Sequence, residues 1–224
     1  GKLDLVVLGE WMPIMMMENK EGSFSDVASE IGFDNQTGWW FSINGEDLDG
    51  DGDIDFVAGN LGLNYKYKAS TEYPFSIYSS DFDGNGNQDI VLSYFNEGQQ
   101  YPVRGRQCSS QQVPIIKEKY KTYNEFAKAT LGDIYGEFGL EKSRNLMAQN
   151  FASIYIENVG KGKFKISNLP NRAQISPVNT SLILDFDNDG DKDVLVAGNL
   201  FTSEVETPRA DAGDGLLLKH TKEN

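Results

Sequence analysis

Apolar and polar positions alternate over short runs along most of this chain, and polar clusters rich in glycine, asparagine and aspartate separate the runs. Trp11-Met12-Pro13-Ile14-Met15-Met16-Met17, Trp39-Trp40-Phe41-Ser42-Ile43, Phe75-Ser76-Ile77-Tyr78, Ile90-Val91-Leu92, Ser181-Leu182-Ile183-Leu184, Val194-Leu195-Val196-Ala197 and Leu216-Leu217-Leu218 are such runs. Their length, their β-branched and aromatic content and their bounding turn residues predict strands. The period changes between about Gln107 and Asn150. Thr122-Tyr123-Asn124-Glu125 reads as a capping box, and Tyr123, Phe126, Ala127, Leu131, Ile134 and Tyr135 then recur at helical spacing. Leu140, Arg144 and Met147 predict a second helix after Gly139, and Ser109-Ser110-Gln111-Gln112 a short one before Pro114. The resulting division is strands over 1–106, a helical insertion over 107–150 and strands again over 151–224, in a single domain.

Three polar clusters repeat one pattern, D-x-D-x-[DN]-G-x-x-D. They are Asp47 to Asp55, Asp81 to Asp89 and Asp185 to Asp193. Oxygen-bearing side chains stand at positions 1, 3, 5 and 9, with glycine at 6. Alternating carboxylates can converge on a hard cation, and the glycine permits the bend this needs. The calcium-binding helix-loop-helix motif begins alike but needs Glu at position 12 and a helix on each side. Here position 12 is Ala58, Leu92 and Val196, and the flanks are predicted strands. Each cluster is therefore expected as a metal loop at the tip of a β-hairpin, the plainer alternative being an acidic surface turn.

Gly1 to Glu10 resembles the back half of a fourth loop when set against Gly190 to Asn199, with Asp4 at position 9. This predicts a fragment that begins inside a loop, whose remnant should bind nothing. Asn19-Lys20-Glu21-Gly22-Ser23-Phe24 and Asn158 to Phe164 are similar turns. A unit thus recurs: strand, tight turn, strand from Phe, connector, metal hairpin. Units of this size predict an all-β chain forming a β-propeller with a helical insertion, about four blades of a seven- or eight-bladed ring, with a β-sandwich as the alternative. Val-Ala-Gly-Asn-Leu also occurs twice, at Val57 and Val196, one residue closer to its loop in the first copy. A bulge in one copy is expected to absorb the offset.

The net charge of −14 argues against nucleic acid or an anionic membrane as partner. The loops carry five, three and five acidic residues, 13 of the chain's 34, so much of the charge is ligand supply. Three divalent ions would leave about −8. The one cysteine, Cys108, allows no internal disulfide, and no run is long enough for direct membrane insertion. Adjacent Trp39 and Trp40 should face opposite ways, one into the core and the other toward a neighbouring blade or a sugar ring. The Met15-Met16-Met17 run reads as gap-filling core. His220, the only histidine, reads as a solvated terminal residue.

The loops, with Gly59-Asn60-Leu61-Gly62 and the N-x-G-x-F turns, resemble the FG-GAP/VCBS repeat family, which includes the propeller of integrin α subunits. The subgroup most similar is the bacterial cartilage-acidic-protein type, through Gly38-Trp39-Trp40, Val57 to Asn64, Tyr65 to Ser70 and Tyr101-Pro102-Val103-Arg104. The resemblance implies a Ca²⁺-binding propeller, about three ions, on an extracellular, cell-surface or periplasmic protein. It implies side-chain ligands Asp47, Asp49, Asp51 and Asp55; Asp81, Asp83, Asn85 and Asp89; and Asp185, Asp187, Asp189 and Asp193. It adds the backbone carbonyls of Asp53, Asn87 and Asp191. Asn85 removes one ligand charge, so the second loop should bind most weakly. The expected function is a calcium-stabilised scaffold binding a protein or glycan, with no catalytic residue assigned. A spacer in a larger surface assembly is a plainer version of it. The alternative is a polysaccharide lyase or hydrolase on a propeller, with Tyr135, Glu137, Glu141 and Arg144 as candidates. No Ser/His/Asp set, zinc spacing or phosphate-binding glycine loop stands in the sequence.

Overall fold

The structure, a computed structural model, describes residues 3–33 and 36–220. Gly1, aligned above with a loop glycine, lies outside the described residues. In chain order the strands are β1 (Leu5–Val7), β2 (Glu10–Met12), β3 (Met15–Lys20), β4 (Ser23–Asp26), β5 (Gly38–Trp39), β6 (Ser42–Glu46), β7 (Asp55–Gly59), β8 (Phe75–Ser80), β9 (Asp89–Asn96) and β10 (Gln99–Pro102). Five short helices follow: α1 (Arg106–Gln112), α2 (Ile115–Lys119), α3 (Tyr123–Lys128), α4 (Leu131–Tyr135) and α5 (Glu137–Lys142). Then come β11 (Arg144–Ala148), β12 (Ile154–Asn158), β13 (Phe164–Asn168), β14 (Thr180–Leu184), β15 (Asp193–Ala197) and β16 (Leu216–Leu218). The chain is mostly β-sheet, as the alternating pattern predicts. It divides into two compact units: one runs to Lys66 and resumes over Asn150–Ser203 and from Pro208, the other comprises Tyr67–Gln149 and Glu204–Thr207.

The first unit holds an amino sheet in the order β1-β3-β4, a central sheet β13-β12-β7-β6, a carboxyl sheet β14-β15-β16 and the small pair β2-β5. The central sheet is assembled from distant segments. The chain leaves it after Gly59 and returns at Ile154, yet β7 and β12 pair directly through Ile154↔Ala58, Tyr155↔Val57 and Ile156↔Phe56. The two crossings are fastened together: Gly62 N–H donates to the Phe151 carbonyl at 2.7 Å. The fully buried Asn60 side chain donates to the carbonyls of Asn150 and Ala152. The recurring unit read from the sequence is thus split in space. Its β3–β4 turn belongs to the amino sheet, and its metal hairpin β6–β7 begins the central one.

Side chains alternate across the central sheet with the strand period of two. Phe56, Ala58, Ile154 and Ile156 pack with Ile14 and Trp40, and Val6 and Met16 of the amino sheet close that core. On the other face Val57 and Tyr155 meet Ile183, Val194, Val196, Leu216 and Leu218 of the carboxyl sheet. At roughly 1.5–3 kcal/mol per fully buried aliphatic side chain, these two layers are the main stabilisation of the unit. Of the methionine run expected to fill the core only Met16 does so; Met15 and Met17 alternate to the other face of the sheet, opposite Val7 and Leu5. Trp40 is buried, and Trp39 lies edge-on to Trp11 at 5.2 Å and stacked on Phe151 at 6.1 Å, so the second ring packs among aromatic neighbours.

The expected bulge between the Val-Ala-Gly-Asn-Leu copies does not occur. Pairing is continuous from Ser42↔Gly59 to Glu46↔Asp55 and from Thr180↔Ala197 to Leu184↔Asp193. The copies therefore face opposite ways, Val57 toward the carboxyl sheet and Val196 toward the central one. The offset is passed on instead. Asn60 holds Ala152, two residues before β12, whereas Asn199 holds Gly213, three residues before β16.

The second unit holds the inserted sheet, β10-β9-β8-β11. The helix expected through Arg144 and Met147 is the strand β11, paired with β8 from Arg144↔Ser79 to Ala148↔Phe75. The open edge of β8 supplies backbone partners that outweigh the local helical spacing. The helix expected from Tyr123 to Tyr135 is broken in two, because Thr130 starts a second capping box with Asp133. Leu131 of α4 and Leu140 of α5 cover Val91 of β9, with Tyr78, Phe82 and Tyr135 around them. Among the described residues no helix is long and apolar enough to cross a membrane.

Candidate metal sites

Each aspartate-rich cluster connects two antiparallel strands, β6–β7, β8–β9 and β14–β15. Their register is identical: the position 9 aspartate pairs with the residue before position 1, as Glu46↔Asp55, Ser80↔Asp89 and Leu184↔Asp193. Three loops of one length are thus pinned at the same two points. Inside them the position 1 carboxylate gathers backbone amides. Asp47 accepts from Gly50 and Gly52 N–H, Asp81 from Gly84, Asn85 and Gly86, and Asp185 from Asp189 and Gly190. Amide donors at Gly86, Asn85 and Gly84 hold the Asp81 carboxyl below its usual range. The chain is left-handed at position 6 as expected, and also at position 4, where Gly50, Gly84 and Asn188 have φ of 80°, 75° and 62°. Asparagine tolerates that region. The Gly, Gly, Asn series at position 4 is the mark of this turn in the sequence.

Position 9 is the buried anchor. Asp55, Asp89 and Asp193 are at most 2 % exposed, and each accepts the N–H of its position 2 residue, Leu48, Phe82 or Phe186. In the first unit the other oxygen reaches a third segment, at the end of β12 or just past β16. Asp55 Oδ1 accepts Asn158 N–H at 2.7 Å and Asp193 Oδ1 accepts His220 N–H at 3.0 Å. Asp4 repeats the scheme with Asn19 N–H at 2.8 Å, the role its alignment to position 9 predicts. His220 therefore stands where Asn19 and Asn158 stand, tied to the loop by its main chain rather than solvated at a terminus. Burial first, and the neighbouring Asp55 carboxylate second, push the Tyr155 phenol far above the ordinary value.

Three carboxylates converge in each loop: Asp47, Asp49 and Asp55; Asp81, Asp83 and Asp89; Asp185, Asp187 and Asp189. In each set one oxygen per residue lies within 4.8 Å of the others. Oxygens about 2.4 Å from one Ca²⁺ lie at most about 4.8 Å apart, so the donor sets fit a hard cation. Partial desolvation within the loop, with the charges of Asp55, Asp51 and Asp47 adding to it, raises the carboxyl of the exposed Asp49, the penalty a bound cation would relieve. Asp51 and Asn85 accept the amides of Asp53 and Asn87, and Asp193 accepts those of Phe186 and His220. Asp191 donates its N–H to Asp189. In the third loop Lys219 Nζ sits 2.6 Å from Asp187 Oδ2 and holds that carboxyl below its usual range.

The residues weighed for catalysis do not form a comparable set. Glu137 and Glu141 are exposed on α5 and Arg144 is exposed on β11, while Tyr135 packs against Phe82 at 5.1 Å.

Among known proteins, the profile of the FG-GAP-like repeat matches residues 1–58, from the segment around Asp4 through the Asp47–Asp55 loop into β7. No curated protein matches the chain.

Proposed function

We propose that this chain, an FG-GAP repeat protein by its match over residues 1–58, is a calcium-stabilised module of propeller-type blades that serves as an extracellular scaffold for a protein or glycan partner. The observation that carries the reading is the threefold recurrence of one loop: three convergent carboxylate oxygens, a buried position 9 aspartate, and the same hairpin register. Asp47, Asp49 and Asp55, Asp81, Asp83 and Asp89, and Asp185, Asp187 and Asp189 would hold the ions. Asp51, Asn85 and Asp193 would complete the sets, with the carbonyls of Asp53, Asn87 and Asp191.

Bound Ca²⁺ supplies charge compensation at the hairpin tips. The chain's own residues do the rest: position 9 ties each tip to its sheet, and the amides at positions 4 to 6 hold position 1 in place. Extracellular modules bind Ca²⁺ with Kd of about 10⁻⁴ to 10⁻³ M. At ten times Kd each site adds about 1.4 kcal/mol, and three about 4 kcal/mol, a large part of a typical 5–15 kcal/mol stability. Such ions suit a scaffold. Asn85 weakens the second loop, and Lys219 must yield Asp187 before the third loop fills.

Thermal unfolding in millimolar Ca²⁺, in Mg²⁺ and in chelator tests this reading. A rise in melting temperature specific to Ca²⁺, with the first loop binding most tightly by calorimetry, is the expected result. An unchanged melting temperature in all three solutions would remove the metal from the account.

A further inference from the structure

An asparagine side-chain amide can be attacked by the backbone nitrogen of the next residue, most readily when that residue is glycine and has no side chain to shield it. The attack closes a five-membered succinimide and expels ammonia. Asn-Gly occurs twice in the chain, at Asn44-Gly45 and Asn85-Gly86. The two copies differ in every feature the reaction needs.

Asn85 is exposed at position 5 of the second loop. Its Oδ1 accepts two hydrogen bonds from one residue, Asn87 N–H and Asn87 Nδ2, each at 2.8 Å. A bond from the residue two ahead folds the side chain back along the Gly86 peptide, the direction in which the ring closes. Charge gathers on Oδ1 as Cγ becomes tetrahedral, so both donors strengthen at that moment, as in a small oxyanion hole. Gly86 N–H donates to Asp81 Oδ2 at 2.8 Å, so a carboxylate already stands at the hydrogen that must leave. Among the described residues Asn85 Nδ2, the leaving nitrogen, has no hydrogen-bond partner, and nothing lies within 4 Å of where a side chain on Gly86 would begin.

Asn44 is half-buried in β6, and its Nδ2 is tied to the Ser181 carbonyl and hydroxyl at 2.9 and 2.8 Å. Gly45 is held opposite Phe56, whose ring would stand 2.9 Å from a side chain there. The other two loops carry Asp51 and Asp189 at position 5 and Asp53 and Asp191 at position 7, so they offer neither the amide nor the second donor.

We propose that Asn85 is a self-modification site, converted to aspartate and isoaspartate through a succinimide with Gly86 that Asn87 promotes. Gly86 N bonds to Asn85 Cγ, its hydrogen passes by way of Asp81 to Nδ2, and the Cγ–Nδ2 bond breaks to release ammonia. Water then opens the ring at either carbonyl. The aspartate product gives the second loop the acidic position 5 of the other two, and the isomer lengthens the loop backbone by one carbon. The effect on calcium rests on the function proposed above; the conversion does not.

Peptide mapping by mass spectrometry tests it on the full chain, aged in chelator at mildly alkaline pH and sampled over time. Asn85 should change from amide to acid while Asn44 stays intact. Asn87→Asp, the residue type of the other loops, and Asn87→Ala, which adds no charge, should keep the parent's near-UV circular dichroism. Each should slow the conversion about tenfold, the factor that about 1.4 kcal/mol of lost hydrogen bonding gives. In urea, where the loop is gone, Asn87→Ala should convert at the parent's rate. An Asn85 that stays intact, conversion at Asn44 as fast as at Asn85, or a folded chain indifferent to both Asn87 variants would each overturn the proposal. Calorimetry of Asn85→Asp should show tighter calcium binding at the second loop. Unchanged binding there would count against the calcium reading of that loop and leave the conversion standing.

Discussion

Asp55 shows how much one side chain carries in this fold. It is buried, begins β7, and accepts N–H groups from Leu48 within its loop and from Asn158 at the end of β12. A carboxylate has about four lone-pair sites, so the two amides leave room for a cation. The residue is thus a structural anchor and a metal donor at once, whereas Asp51 is exposed and meets only the amide of Asp53. Hydrogen bonds to a charged group contribute about 1.5–3 kcal/mol each. Asp55→Ala should therefore lower stability by about 3 kcal/mol or more in urea unfolding, even with chelator present. Asp51→Ala should unfold with the parent in chelator and separate from it only when Ca²⁺ is added. Equal losses in chelator would show that position 9 has no anchoring role. The carboxylate positions were legible in the sequence because oxygen donors must recur at fixed spacing. The bonds to Asn158 and His220 were not, since a main-chain N–H leaves no mark on residue identity.

Among elements, what was legible depended on whether the cause was local. The Thr122 capping box is read from two residues and forms as read, with Thr122 Oγ1 accepting Glu125 N–H and Glu125 accepting Thr122 N–H. The Thr130–Asp133 box is equally local, but Asp in place of Glu hid it inside a longer apolar period, so α3 and α4 merged into one expected helix. Arg144 and Met147 fit a helix by spacing and form a strand because of β8, a partner more than sixty residues away that no window contains. The caps are testable. Thr122→Ala and Thr130→Ala should each destabilise the helical segment by about 1 kcal/mol, read as faster amide exchange over residues 123–135. Their carboxyl partners carry a pH signature. Amide donors at Thr122 and Thr130 hold Glu125 and Asp133 below their usual values. Each group is then deprotonated more readily folded than unfolded, so its contribution is complete above the ordinary carboxylate range. It is lost as pH falls through the lowered folded values. Exchange over the same residues should therefore rise toward acid pH, after correction for intrinsic rates, and the two alanine variants should show a smaller rise.

For the whole molecule, the decisive arrangement is one of chain order: most of the second unit's sequence is inserted between two strands that pair within the first. β7 and β12 are neighbours in the central sheet, and everything that makes the second unit from Tyr67 to Gln149 is strung between them. Such an arrangement is stable only if the host sheet does not depend on the long segment to hold its strands together. The host supplies its own fastening: the Gly62 to Phe151 bond, the Asn60 side chain on Asn150 and Ala152, and the packing of Tyr65 with Trp39 and Phe151 all lie within the first unit. Replacing residues 67–149 by a short Gly-Ser linker should therefore leave β7 and β12 paired. Shortening a connection also lowers the entropy lost on bringing its ends together, by roughly 0.6 kcal/mol per halving. The spliced chain should unfold cooperatively and retain a near-UV spectrum from its buried tryptophan. It should also bind one Ca²⁺ fewer by calorimetry, because Asp81, Asp83 and Asp89 leave with the inserted sheet while the loops at Asp47 and Asp185 remain. A spliced chain that loses its near-UV signal would mean that the central sheet forms only around the insertion. A folded splice that keeps the full calcium stoichiometry would mean that the second loop holds no ion in the intact chain.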